Sequence, residues 1–132
     1  MKRIIPILLM MALLLTGCTS PAPKPVPEAN TYRQITMQEA VEMMEKEENY
    51  IILDVRTHEE FAAGHIPGAI VISHEEIKEK AESVLKDKNQ LILVYCRSGR
   101  RSKLASEDLV ELGYTNIKEF GGILDWPYEI EK

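Results

Sequence analysis

The sequence predicts an α/β fold in three layers, a central parallel sheet covered by helices on both faces. Apolar, β-branched runs alternate along the chain with segments of helical periodicity, the pattern of βα units. The two strongest runs, residues 50–55 and 90–95, are apolar without polar alternation, as strands buried on both faces are. At 132 residues the chain holds one modest domain.

Each element has its own signal. Thr36-Met37-Gln38-Glu39 is a capping box, and Met37, Ala40, Val41 and Met44 form an apolar stripe at helical spacing; with Met43 these methionines read as helix packing. Residues 50–55 (YIILDV) form the first buried strand. Residues 57–63 form a short helix ended by Gly64, and residues 69–72 a second, short strand. Ser73-His74-Glu75-Glu76 reads as another capping box, opening a helix to about residue 85. Residues 90–95 (QLILVY) are the clearest strand. A loop is expected over 96–101, then a helix over 102–112 with Gly113 as its C′ residue. A last strand over 116–120 precedes Gly121-Gly122 and a short helical stretch toward Trp126.

The first residues carry a different pattern. Met1-Lys2-Arg3 is a basic start, and residues 4–15 are an apolar run interrupted only by Pro6. A membrane-crossing helix needs about 20 residues, whereas a run of this length suits a signal-peptide core. The run ends in Leu15-Thr16-Gly17-Cys18, which resembles the lipobox of bacterial lipoproteins. That resemblance implies cleavage before Cys18 and acylation of its thiol and new amine, a firm multi-chain anchor. Residues 1–17 are thus a signal peptide. Residues 18–30, with Pro21, Pro23, Pro25 and Pro27, are an extended tether, and residues 31–132 the folded domain. The expected location is outside the cytoplasm, lipid-anchored to a bacterial membrane at the cell surface or the periplasmic face. With 16 basic against 21 acidic side chains and a net charge of -5, the chain offers no face for nucleic acid and no polybasic lipid patch.

Chemistry concentrates in Cys96-Arg97-Ser98-Gly99-Arg100-Arg101-Ser102-Lys103. A cysteine leaves a buried strand, a glycine permits a tight turn, and a helix follows at once. Successive N–H groups in such a turn can face inward as an anion nest, and the helix adds its positive end. Four basic side chains and no acid lie between positions 97 and 103. Each of these terms favours thiolate over thiol. Asp54 and Arg56 lie at the carboxyl end of another expected strand, where α/β sheets bind ligands, and share a pocket with the loop if the two strands are neighbours.

The loop Cys96 to Ser102 is similar to the active-site loop of single-domain rhodanese-like proteins. Leu53-Asp54-Val55-Arg56 resembles their first core-strand motif. Glu60 and Gly64-His65-Ile66-Pro67-Gly68-Ala69 resemble the segment that follows, and Gly121-Gly122 with Trp126 the C-terminal signature. The resemblance implies a double-displacement sulfur transfer: Cys96 takes sulfane sulfur from a donor such as thiosulfate and passes it, from a persulfide, to a thiol or an acceptor protein. It implies no cofactor. No metal-ligand spacing is present, and a monomer is expected. Arg97 and Arg100 are placed at the pocket mouth and Arg101 in a structural role. Arg56 is expected to hold the active loop, Glu60 either to pair with Arg56 or to solvate a helix, and His65 to hydrogen-bond within its loop. His58 and His74 are placed in solvent at helix starts. Two other readings stand beside this one. A non-catalytic sulfur-carrying or protein-binding module would need no turnover. A phosphatase or arsenate-reductase relative would carry an arginine after five residues, where this chain has Ser102, Arg101 coming after four.

Overall fold

The computed structural model describes Gly17 and residues 31–132; the signal peptide, Cys18 and the tether expected over 18–30 otherwise lie outside the described residues. Five strands, β1 (Arg33–Gln34), β2 (Tyr50–Asp54), β3 (Ile70–Val71), β4 (Leu91–Cys96) and β5 (Ile117–Gly122), form one sheet in the order β1-β5-β4-β2-β3. All pairings between neighbours are parallel. The helices are α1 (Met37–Lys46), α2 (His58–Ala63), α3 (Ile77–Val84) and α4 (Arg100–Glu111). No helix among the described residues is long and apolar enough to cross a membrane.

Alternation along β4 builds both layers of core. Ile92, Val94 and Cys96 face α3 and α4, packing with Ala81, Leu85, Ala105 and Leu109. Leu93 and Tyr95 face the other way, toward Ala40 of α1, Ile66 and Phe120, with Phe61 of α2 and Met37, Met43 and Met44 at the margin. Each buried aliphatic or aromatic side chain contributes about 1.5–3 kcal/mol relative to an exposed one.

Local chemistry sets most boundaries. Thr36 and Glu39 form the expected capping box, and Thr57 and Glu60 form a second at the start of α2. At the end of α4 the Gly113 N–H reaches Val110 O and the Tyr114 N–H reaches Leu109 O, a Schellman turn with Gly113 at φ 95°.

The structure corrects four expectations. Ser73 caps nothing: the Glu76 N–H it would accept already bonds Ser73 O at 2.8 Å, and the His74 N–H bonds Val55 O at 2.9 Å. Residues 74–76 therefore form a 3₁₀ turn, and α3 starts at Ile77. Helix α4 begins at Arg100, not Ser102, because Gly99 adopts φ 105° and ends the loop after three residues. Cys96 is still a strand residue, paired with Gly122 beyond an irregularity after Val94, so β5 also ends two residues later than expected. Finally, β1 is an additional edge strand, two exposed polar residues paired with Lys118 and Glu119.

Candidate active site

Cys96 stands at the carboxyl end of β4, next to β5 on one side and β2 on the other. It is 1% exposed, so its sulfur lies beneath the loop Arg97-Ser98-Gly99, not at its rim. Within hydrogen-bond range of Sγ are the Gly99 N–H at 3.0 Å and the Ser102 hydroxyl at 3.4 Å. Of the several amides expected to converge there, Gly99 supplies one. The loop is pressed against β5: a Cβ at Gly122 would fall 2.0 Å from Arg97 O, which explains why that position holds glycine.

Behind the sulfur lies a buried carboxylate that the sequence reading passed over. Glu119, 3% exposed in the middle of β5, takes the Ser102 hydroxyl at 2.6 Å and the Gly121 N–H at 2.8 Å on the same oxygen, Oε1. Ser102 Oγ also lies 3.0 Å from Gly99 O. Ser102 thereby joins the cysteine, the loop and β5.

Arg101, in the first turn of α4, makes a two-pronged ion pair with Glu60 of α2, at 2.6 and 3.0 Å. These bonds hold the Glu60 carboxyl at about 2, helped by Thr57 and opposed by burial. The Arg101 guanidinium is held above its ordinary value, chiefly by Glu60 and further by charge on Cys96 and Asp54. Arg101 thereby places a cation within electrostatic reach of the sulfur.

Asp54 and Arg56 form a separate buried unit. Arg56 grips Asp54 through Nε and Nη2 and donates Nη2 to Gly64 O at 2.7 Å. Burial opposes its charge while Asp54 restores it, with a net rise of the guanidinium above its ordinary value. The Tyr95 hydroxyl donates to Asp54 Oδ2 at 2.7 Å and accepts the Ile66 N–H at 3.1 Å. An open cavity of about 570 Å³ lies over this end of the sheet. Arg56, Glu60 and Arg97 supply its polar wall, and Ile123, Leu124 and Trp126 part of its apolar one.

Residues 36–128 match the sequence profile of the rhodanese-like domain. This chain belongs to the rhodanese-like family. Thiosulfate sulfurtransferase PspE of Escherichia coli is 42% identical over 73 residues, which cover 55% of this chain and 70% of that one. The putative sulfurtransferase YtwF of Bacillus subtilis is 36% identical over 97 residues, 74% of this chain and 92% of its own. Among solved structures, a rhodanese-like domain protein from Staphylococcus aureus superposes with a TM-score of 0.66 at 32% identity, covering 75% of this chain and 96% of that one.

Within this rhodanese-like domain the expected residues divide into two groups. Cys96, Gly99 and Ser102 are joined by hydrogen bonds around the sulfur, and Arg101 is joined to Glu60 by its own ion pair in the adjoining first turn of α4. Asp54, Arg56 and His65 share none of these bonds: Arg56 secures the segment after α2 instead of the loop of Cys96. Glu60 takes Arg101 as its partner, not Arg56. His65 hydrogen-bonds Phe61 O at 2.9 Å through Nδ1 and stacks on the Phe61 ring at 3.7 Å, the loop role expected of it. His58 is exposed at the start of α2, within 3.1 Å of Glu76. Arg97 lines the large cavity, whereas Arg100 is exposed and absent from that lining. Ser98 is exposed at the loop's apex. One signal for Glu119 was present in the sequence: it stands two residues after Ile117, so strand alternation puts it on the same face as that apolar side chain.

Proposed function

We propose that Cys96 accepts a sulfane sulfur from a donor such as thiosulfate and delivers it to a thiol. The Cys96 thiolate attacks the outer sulfur of the donor, and the donor's S–S bond breaks with its electron pair leaving on sulfite. A persulfide, Cys96 Sγ–S⁻, remains. In the second half, an acceptor thiolate attacks the terminal sulfur and Cys96 leaves as thiolate. The observation that carries this reading is one cysteine sulfur at the carboxyl edge of a parallel sheet, under a glycine N–H and within electrostatic reach of the Arg101 guanidinium. The names of the two sequence relatives support the same reaction. The short loop favours it over oxyanion hydrolysis: three residues separate Cys96 from α4, and one amide reaches the sulfur, a small cradle for a tetrahedral dianion.

The test is intact mass of the full chain, purified in detergent, before and after thiosulfate. The expected result is a gain of about 32 Da, one persulfide sulfur, lost in C96S and discharged by cyanide or a thiol. No gain with any sulfane donor would leave a binding module, and phosphatase activity requiring Cys96 would reverse the assignment.

We also propose that residues 1–17 direct export, that Cys18 carries the lipid, and that residues 18–30 hold the domain off the membrane. The lipobox-like Leu15-Thr16-Gly17-Cys18 and the proline spacing support this. Labelled fatty acid should enter the protein in bacteria and be lost in C18A, with the variant leaving the membrane fraction; unchanged labelling would refute it.

A further inference from the structure

Attack by a thiolate requires that the thiol proton first leave Cys96. In the resting site the thiol proton must go somewhere as the Sγ–S bond forms, and no histidine touches the sulfur. The described contacts offer one continuous route. Sγ lies 3.4 Å from Ser102 Oγ, in the sense of a thiol donating to the hydroxyl, and Oγ lies 2.6 Å from Glu119 Oε1. That second distance is a short hydrogen bond from the hydroxyl to a carboxylate oxygen. All three side chains are at most 3% exposed, so bulk water does not compete along the path.

We propose that Glu119 receives the Cys96 proton through the Ser102 hydroxyl when sulfur is loaded. This inference rests on the sulfur-transfer reading and adds the residue that makes the step charge-neutral. The thiol gives its proton to Ser102 Oγ, and Ser102 passes its own to Glu119. The freed Sγ pair bonds to the sulfane sulfur, and the donor's S–S pair departs on sulfite. The site begins with one negative charge on Glu119 and ends with one on the persulfide; the donor dianion is replaced by the sulfite dianion. A carboxylate and a persulfide anion are therefore never both charged a few ångströms apart in a buried place. Ser102, which accepts from the thiol at the start, ends by donating to the sulfur.

The surrounding charges fit this arrangement. On the α2 and α4 side, Glu60 is neutralised by Arg101, whose guanidinium lies within electrostatic reach of the sulfur. On β2, Asp54 is neutralised by Arg56, with the Tyr95 hydroxyl on the same oxygen. Lys103 of α4 and Asp125 of the last turn line the cleft that Glu119 borders, and Gln34 of β1 and Met37 of α1 form its uncharged walls. Arg97 lies on the cavity side of the loop. Glu119 is thus the carboxylate joined to the sulfur by hydrogen bonds and left without a cationic partner.

The experiment measures steady-state thiosulfate-to-cyanide transfer by the full chain from about pH 6 to about pH 9, for wild type and E119Q. Loss of a general base is most severe where solvent base is scarce. The expected result is a fall in kcat of at least about tenfold at the acid end, narrowing toward wild type at the alkaline end, with KM changed less than about twofold. S102A interrupts the same path and should show the same pH slope, which keeps the test open if E119Q does not fold. A deficit equal at every pH, or E119Q as fast as wild type at the acid end, would overturn the inference and leave Glu119 a packing residue. A wild type that gains no sulfur from thiosulfate would instead sink the sulfur-transfer reading itself.

Discussion

Glu60 and Arg101 are 41 residues apart in sequence, yet their side chains meet through two parallel hydrogen bonds that tie α2 to the first turn of α4. Because the folded Glu60 carboxyl titrates at about 2, below its ordinary value near 4.5, the pair's contribution is complete above that ordinary value. It is lost as pH falls toward the folded value. At neutral pH, E60Q should lower stability by about 1 kcal/mol, the scale of a partly solvated pair with good geometry. Thermal melts at stepped pH check this: the gap between wild type and E60Q should be several degrees at neutrality and close by about pH 2. A gap that persists at the acid end would show that the lost contact is not this ion pair.

Tyr95 and Arg56 converge on the same oxygen of Asp54. Burial, then Asp54, pushes the Tyr95 phenol upward, so it stays a donor throughout the physiological range. Y95F removes the donor to Asp54 and the acceptor of the Ile66 N–H, and should cost about 1–3 kcal/mol for the groups left unsatisfied. D54N leaves the buried Arg56 guanidinium without its counter-ion and should cost about 3–5 kcal/mol. Since both interactions meet at Oδ2, the double variant should lose less than the sum of the singles. Urea denaturation of the four proteins tests the cycle, and strict additivity would contradict the shared geometry.

What could be read in advance was what is local. The capping box of α1, the glycine that ends α4 and the apolar β4 each depend on residues within one turn or one strand. The helix expected from Ser73 starts only at Ile77 because a tertiary bond to Val55 and a 3₁₀ turn take the amides of its expected first turn. Strand β1 carries no apolar signal, being two polar residues held by backbone pairing alone. For Glu60 the sequence offered Arg56 or solvent; its partner Arg101 lies 41 residues away, and only the tertiary fold brings the two together. Glu119 was missed because its charge contradicts a buried strand unless the hydroxyl of Ser102, on another element, is known to meet it.

Two glycines separate steric need from conformational need. At Gly122 an added Cβ would meet Arg97 O at 2.0 Å, Arg97 C at 2.3 Å and Ser98 N at 2.6 Å, all backbone atoms of the active loop. G122A should therefore cost at least about 3 kcal/mol, the upper range for overpacking, and abolish sulfur loading with it. At Gly113, φ is 95° but nothing lies within 4 Å of the new atom. G113A should cost only about 1–2 kcal/mol, the penalty of a left-handed alanine, and load sulfur normally. Thermal melts and intact mass distinguish the two; equal effects on loading would mean the loop does not depend on its close approach to β5.

Arg97 and Arg100 are both exposed, but only Arg97 lines the large cavity at the carboxyl end of the sheet. If an anionic donor enters there, the two charges contribute unequally. R97E replaces an attractive charge by a repulsive one at the entry and should raise the KM for thiosulfate by about three- to tenfold, with the difference shrinking as salt is added. R100E makes the same change of net charge on the outer side of α4, so it controls for long-range attraction and should raise KM by less than about twofold. Neither side chain touches the sulfur, so kcat should hold in both while KM moves in one. Equal KM changes in the two variants, or a lower kcat in R97E at saturating donor, would move the entry route away from this cavity.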